Sequence, residues 1–245
     1  MKVIGFNLSG KYALFTKPYT KNQPQSFIIP PKTAIAGMIG GILGFNRDEY
    51  QEKLKSLKYS VVLRNVSKYT TRFNLLQGRS ERNPETGENG PFTYSKNPIS
   101  HPGKRGPRSP TTFELLKNPS WDIFISLEDE LLIELQNRIK NSFFEYVPYL
   151  GIANAFAKLE LFEEVVELEK GVNKIKSFFE FGLVKVKLNQ PVKFYSELIP
   201  VEFKEKRSEP VTKEMVIFDG DFDILNKEEI ENEFFIYKDY SLRFI

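Results

Sequence analysis

The sequence predicts an α+β fold: a β-α-β-β-α-β unit over residues 1–165 that carries a long basic insertion, then a β-rich region over residues 166–245. Three observations carry this reading. Apolar residues alternate with the period of a strand in Lys2–Leu8, Tyr59–Leu75 and Trp121–Ile125; they recur at helical spacing in Ala34–Leu43 and Leu131–Ile139; and residues 77–112 lose periodicity altogether. At 245 residues and 40% hydrophobic composition the chain is long and apolar enough to bury its own core.

Composition also excludes chemistry. Cysteine is absent, which removes disulfides, thiol catalysis and cysteine-based zinc sites, and there is one histidine, His101. No metal site or cofactor is expected. The start, MKVIGFNLSG, lacks the apolar core of a secretory signal. The longest apolar run, about 12 residues, falls short of the roughly 20 needed to span a bilayer. No membrane association is expected, and the cytoplasm is the expected location.

Taken in order, Val3, Gly5 and Asn7 alternate with Ile4, Phe6 and Leu8, which predicts a strand with one apolar side. Residues 16–30 read as a polar, proline-containing connection. Pro30–Phe45, PPKTAIAGMIGGILGF, places Ile35, Met38, Ile39, Ile42 and Leu43 on one helical face. Thr33 is placed to cap its first turn, and Gly44 suits the left-handed residue after its end. A charged helix or turn spans Asp48–Lys55.

The strand starting at Tyr59 can run through Leu75, setting Arg64, Lys68 and Arg72 roughly 13 Å apart on one face. Residues 77–112 then hold six of the fifteen prolines and five of the fifteen glycines, the composition of a long excursion. Residues 68–112 carry a net charge of +5 against −2 for the remainder, so positive charge is concentrated where a polyanion would meet it. A strand resumes at Trp121, and Ser126 with Asp129 has the spacing of a capping box for a helix buried through Leu131, Leu132, Leu135 and Ile139. Ala157, Leu159 and Leu161 supply the last strand. The order is that of a ferredoxin-like unit with a loop inserted between its middle strands. Strands at Leu183–Leu188, Val192–Leu198, Met215–Phe218 and Phe234–Tyr237 make the second region β-rich and antiparallel.

Two features demand a physical reason. Gly37, Gly40 and Gly41 lie opposite the isoleucines, and each internal glycine costs about 1 kcal/mol relative to alanine, so close approach of another backbone, protein or nucleic acid, must offset them. Their spacing is neither a dinucleotide fingerprint nor a P-loop. In the basic excursion Arg79, Arg82, Lys104, Arg105 and Arg108 surround Phe92 and Tyr94, a mixture that suits phosphates and unstacked bases, although a proline- and glycine-rich loop can also be merely solvated. Arg64, Lys68, Arg72, Lys11 and Lys32 join these as candidate contacts. The run Asp219–Asp223 imitates a calcium loop, but Ile224 and Ile230 stand where glycine and glutamate are needed. Glu160, Glu163, Glu164, Glu167 and Glu169 read as a solvated face.

The strand VIGFNLSGKYALFTKPYT, the helix IPPKTAIAGMIGGILG, the long arm and the later segment YVPYLGIANAFAKLEL together resemble the Cas-five family of CRISPR-associated RAMP proteins, nearest its type I-B Cascade branch. The resemblance implies a modified RRM-type fold that binds the 5′ handle of crRNA and caps the Cas-seven backbone of a Cascade complex. The Cas-eight large subunit would be a further partner and target DNA an indirect one. Carried onto this chain, the thumb of that family falls at about Leu76–Thr112. The handle falls against the glycine helix and Tyr149, Leu150 and Gly151, with Asn154 and Lys158 contributed by the same segment. The resemblance implies no catalytic residues. Its type I-C branch cleaves precursor RNA without metal through a lysine, a tyrosine and a histidine, so the competing expectation is an endoribonuclease using His101 with Lys104 or Tyr94.

Overall fold

Strand β1 (Lys2–Ser9) leads through the two-residue β2 (Tyr12–Ala13) to helix α1 (Lys32–Ile42) and the single turn α2 (Tyr50–Lys53). Two strands of 19 residues follow, β3 (Lys58–Leu76) and β4 (Arg108–Ser126), then α3 (Asp129–Lys140) and β5 (Lys158–Glu167). The computed structural model describes residues 1–20, 23–76, 108–188, 191–204, 209–219 and 222–245. The main sheet is antiparallel in the order β5-β1-β4-β3, and β2 continues β1 along the same edge of β4.

One face of this sheet meets both long helices. Ile4, Phe6 and Leu8 of β1 and Trp121, Ile123 and Ile125 of β4 pack with Ile35, Ile39 and Ile42 of α1 and Leu132, Leu135 and Ile139 of α3. The period-two alternation and the helical stripe therefore select the same core. The opposite side of β1 is buried as well, where the sequence pattern had left it polar: Val3, Val62 and Phe124 lie under Tyr237, Tyr240, Leu242 and Phe244 near the C-terminus. The connection after β2 also departs from its polar reading. Phe27, Ile28 and Ile29 are buried, and its carbonyls accept from the core, Trp121 Nε1 donating to Ile28 O at 3.0 Å and Tyr59 Oη to Pro30 O at 2.5 Å.

Neither expected helix cap forms. Pro31, whose carbonyl accepts from the N–H groups of Ala34 and Ile35, occupies the cap of α1, so Thr33 already lies inside the helix. Ser126 is still paired with Lys58 in the β3–β4 ladder, and α3 begins after Glu128, with Asp129 and Glu130 complementing the helix dipole instead of a side-chain cap. The end of α1 is as expected: Gly44 has φ +76°, Phe45 N donates to Gly40 O and Gly44 N to Gly41 O, a Schellman closure.

Strand β4 is paired from Arg108 rather than from near Trp121, because β3 and β4 pair along their full length. A bulge between Asn65 and Ser67 opposite Lys117–Ser120, with Asn118 at φ +46°, takes Pro119 out of the ladder, which is how a proline is tolerated there.

The remaining elements are short strands β6 (Lys174–Ile175), β7 (Phe179–Glu180) and β8 (Val186–Lys187), the long hairpin β9 (Lys193–Phe203) and β10 (Pro210–Asp219), then β11 (Asp223–Ile224), α4 (Lys227–Ile230), β12 (Phe234–Tyr237) and β13 (Tyr240–Arg243). Pairing is antiparallel except between β6 and β13. Ile199 of β9 and Met215 and Ile217 of β10 enter the main core beside Phe178, and Phe178 lies 5.4 Å from Tyr59 ring to ring. Among the described residues no helix is long and apolar enough to cross a membrane.

Candidate functional site

The bare side of α1 opens onto a groove of about 640 Å³ whose opposite wall is the segment Tyr146–Gly151. Gly37 and Gly41 form its floor, and Asn46, Arg47, Tyr146 and Tyr149 stand around it. Local backbone chemistry builds both walls. Carbonyls at the end of α1 take partners from beyond the helix: Tyr146 N of the far wall donates to Gly41 O at 3.2 Å, and Arg138 Nη1 of α3 donates to Ile42 O at 2.8 Å.

The far wall is a tight turn, with Leu150 N donating to Ala155 O at 2.7 Å and Ala157 N to Pro148 O at 3.0 Å. It docks on the main sheet through Leu14 N, which donates to Leu150 O at 3.0 Å. Gly151 has φ +83°, and a β-carbon there would stand 2.0 Å from Leu14 O, so only glycine fits. The outcome is a rigid wall with its rings turned outward: Tyr146 is 64% and Tyr149 52% exposed.

The three glycines of α1 divide in role. A β-carbon on Gly40 would lie 2.7 Å from Tyr50 Cβ, so that glycine admits a neighbouring side chain. A β-carbon on Gly37 would meet only Tyr50 Oη, at 3.9 Å, and one on Gly41 only Tyr146 Cβ, at 3.7 Å. Nothing among the described residues requires these two positions to be bare, and both face the groove.

The candidate cations are distributed unevenly. Arg64 is committed to Asp122, with Nε donating to Oδ2 at 2.6 Å, and Asn7 Nδ2 donates to the second carboxylate oxygen at 3.0 Å. Burial opposes the Arg64 charge, but the Asp122 carboxylate outweighs it and raises the guanidinium pKa. Lys68 pairs with Glu114 at 3.0 Å, and Lys158 with Glu160 at 2.7 Å. Arg72 is exposed and without an ionic partner among the described residues. Lys11 is exposed beside the Tyr12 ring, and Asn154 is exposed on the turn of the far wall.

Lys32 stands apart from the groove, in a second cleft with Glu202, Lys204 and Lys55; burial lowers its pKa, with Glu202 opposing. Arg108 begins β4, and its side chain is outside the described residues, as are Arg79, Arg82, Lys104, Arg105, His101, Phe92 and Tyr94. The structure thus brings together Gly37, Gly41 and Tyr149 and adds two residues that sequence reasoning missed, Arg47 and Tyr146. Arg47 is exposed and unpaired among the described residues. The signal for it was its place three residues beyond Gly44, where the Schellman turn swings the chain across the groove mouth.

No curated protein matches the chain at a significant level. Among solved structures it is similar to a chain of a CRISPR RNA-guided surveillance complex, with a TM-score of 0.54 and 13% identity over 92% of each chain. It is also similar to a CRISPR protein from Archaeoglobus fulgidus, with a TM-score of 0.50 and 11% identity over 99% of this chain and 98% of that one. These likenesses establish a shared fold. The family profile described as CRISPR-associated protein (Cas_Cas5) matches residues 3–196, most of the chain, and the chain therefore belongs to the CRISPR-associated Cas-five family.

Proposed function

We propose that this chain is a non-catalytic RNA-binding subunit of a type I CRISPR Cascade complex, of the type I-B branch, that holds the 5′ handle of crRNA and caps the Cas-seven backbone. The Cas-eight large subunit would lie alongside, and target DNA would be met only through the assembled complex in the cytoplasm. The observation that carries the reading is the groove. Gly37 and Gly41 leave a floor that no group among the described residues fills, Tyr146 and Tyr149 offer exposed rings for unstacked bases, and Arg47 offers a guanidinium unpaired among the described residues for a phosphate. Single-stranded RNA is recognised by that combination of close backbone approach, stacking and charge.

Family membership and the strand order β5-β1-β4-β3, with α1 and α3 on one face, support a ferredoxin-like body. The β3–β4 ribbon supports a thumb, since it projects beyond the point where β1 stops pairing at Ser120. Arg72 and the basic residues 79–108 are its expected contacts with RNA and with the Cas-seven subunit.

The test is to purify the chain with its neighbouring subunits and sequence any bound small RNA. Small RNAs with a common 5′ segment are expected, and Arg47→Gln with Tyr149→Ala should lose them. An assembly without RNA, or one retaining it equally in the double variant, overturns the reading. Incubating the chain with precursor RNA in a chelator should leave the RNA intact; site-specific cleavage abolished by His101→Ala would establish an endoribonuclease instead.

A further inference from the structure

We propose that the outer edge of β5 docks an extended segment of a partner protein, which joins the main sheet as a further antiparallel strand and whose residues alternate apolar with basic. Strand β5 ends the order of the main sheet and pairs on one side only, with β1. The ladders decide which of its backbone groups face outward. Gly10 N donates to Pro119 O just beyond the β1–β4 register, and Tyr59 exchanges both backbone bonds with Ile245, which turns it away from Ile125. Alternation then commits Ile4, Phe6 and Leu8 to β4, and Asn7 and Ser9 to Glu160 and Lys158 of β5. Leu159 and Leu161, opposite Leu8 and Phe6, therefore direct their N–H and C=O groups away from β1.

To either side the protein closes this edge itself. Ala157 N donates to Pro148 O at 3.0 Å, and Val165 N donates to Gln136 Oε1 at 3.0 Å. Between them the outward groups of Leu159 and Leu161 have no partner among the described residues. A groove of about 450 Å³ runs along the same stretch, bounded by Ile139, Lys140 and Ser142 at the end of α3. A row of unpaired donors and acceptors is a template for another strand.

The two faces of the edge dictate what that strand carries. Leu159 and Leu161 turn into the core beside Ile139, so residues opposite them enter the groove, where apolar side chains fit. Glu160 lies on the other face, level with Asn7, and its ion pair with Lys158 is exposed at both ends, the kind of pair that contributes little and yields to a new cation. A basic residue opposite Glu160 forms a cross-strand pair. Strand β5 holds Lys158 against Glu160, Glu163, Glu164 and Glu167. A second copy of this chain laid edge to edge would set glutamate against glutamate, and a phosphate backbone would be repelled; a basic protein strand is complementary. The proposal does not rest on the groove beside α1.

Its test uses the full chain and a fluorescent octapeptide of alternating valine and lysine, read by anisotropy together with hydrogen exchange at the Leu159 and Leu161 amides. In the antiparallel pairing the valines stand opposite Leu159 and Leu161 and exchange backbone bonds with them. Methylating the valine nitrogens is expected to weaken binding about 5- to 100-fold, whereas methylating the lysine nitrogens, which face away from β5, leaves it unchanged. Glu160→Lys should weaken binding about 2- to 30-fold. The bound peptide should slow exchange at both amides by about tenfold or more. Absence of saturable binding, equal binding of the two methylated peptides, or unchanged exchange at both amides overturns the proposal and leaves the groove reading standing. A glutamate–valine octapeptide that binds equally well overturns it too, because charge would then play no part. Self-association of the chain that the lysine peptide displaces would give the edge to a second copy and likewise overturn it.

Discussion

Tyr50 covers Gly40 so closely that a β-carbon on the glycine would lie 2.7 Å from Tyr50 Cβ and 3.1 Å from Cγ. The same helix leaves Gly37 and Gly41 uncovered, so one sequence motif serves two purposes. Gly40→Ala is expected to lower stability by about 1–3 kcal/mol through overpacking despite the better helix propensity of alanine. Gly37→Ala should instead raise stability by about 0.5–1 kcal/mol and weaken RNA retention. Thermal unfolding beside RNA co-purification separates the two.

The basic stripe of β3 divides in the same way. Arg64 neutralises Asp122, a residue only 7% exposed, whereas Arg72 has no partner among the described residues. Arg64→Gln should cost about 1.5–3 kcal/mol of stability and leave the salt dependence of RNA binding unchanged. Arg72→Gln should leave stability within about 0.5 kcal/mol and reduce the salt slope by about 0.7. Equal effects of the two on RNA binding would refute this division.

Legibility in the sequence followed the range of the forces involved. Local periodicity located β1, α1, α3 and β5, because one buried face imposes a period of two or 3.6 residues. It misjudged Phe27–Ile29, whose burial depends on Trp121 and Tyr59, far away in sequence. It also missed residues 108–120 of β4, whose order comes from pairing with β3 across the excursion. The capping signals at Thr33 and Ser126 were real sequence patterns overruled by neighbours, Pro31 in one case and the β4 ladder in the other. The groove was half visible. Gly37, Gly41 and Tyr149 stood out, while Arg47 and Tyr146 gain meaning only once the end of α1 binds the opposite wall.

Tyr240 anchors the second face of the sheet, and burial pushes its phenol pKa up to about 12, with Arg64 opposing and Asp122 reinforcing the shift. The fold therefore holds the neutral phenol. Its contribution is complete below the ordinary tyrosine value near 10 and is lost as pH rises from about 10 to about 12. In Tyr240→Phe the alkaline loss of stability should be shallower, and ultraviolet titration should lose one late-ionising phenol. An unchanged titration would refute the assignment.

Glu197 of β9 joins the second half of the chain to the first. One carboxylate oxygen receives Lys17 Nζ at 2.6 Å, and the other accepts Ile28 N–H at 2.9 Å. The side chains are 11% and 5% exposed, so neither charge can turn to water if its partner is removed. Glu197→Gln keeps an acceptor for Ile28 but strands the lysine; Lys17→Met strands the carboxylate. Each should cost about 3–5 kcal/mol, read as a lower urea midpoint. The double variant, Lys17→Met with Glu197→Gln, leaves no buried charge and still satisfies Ile28 N–H, so it should recover most of the loss. Additive losses in the double variant would mean that packing at the two sites, rather than the ion pair, sets the cost.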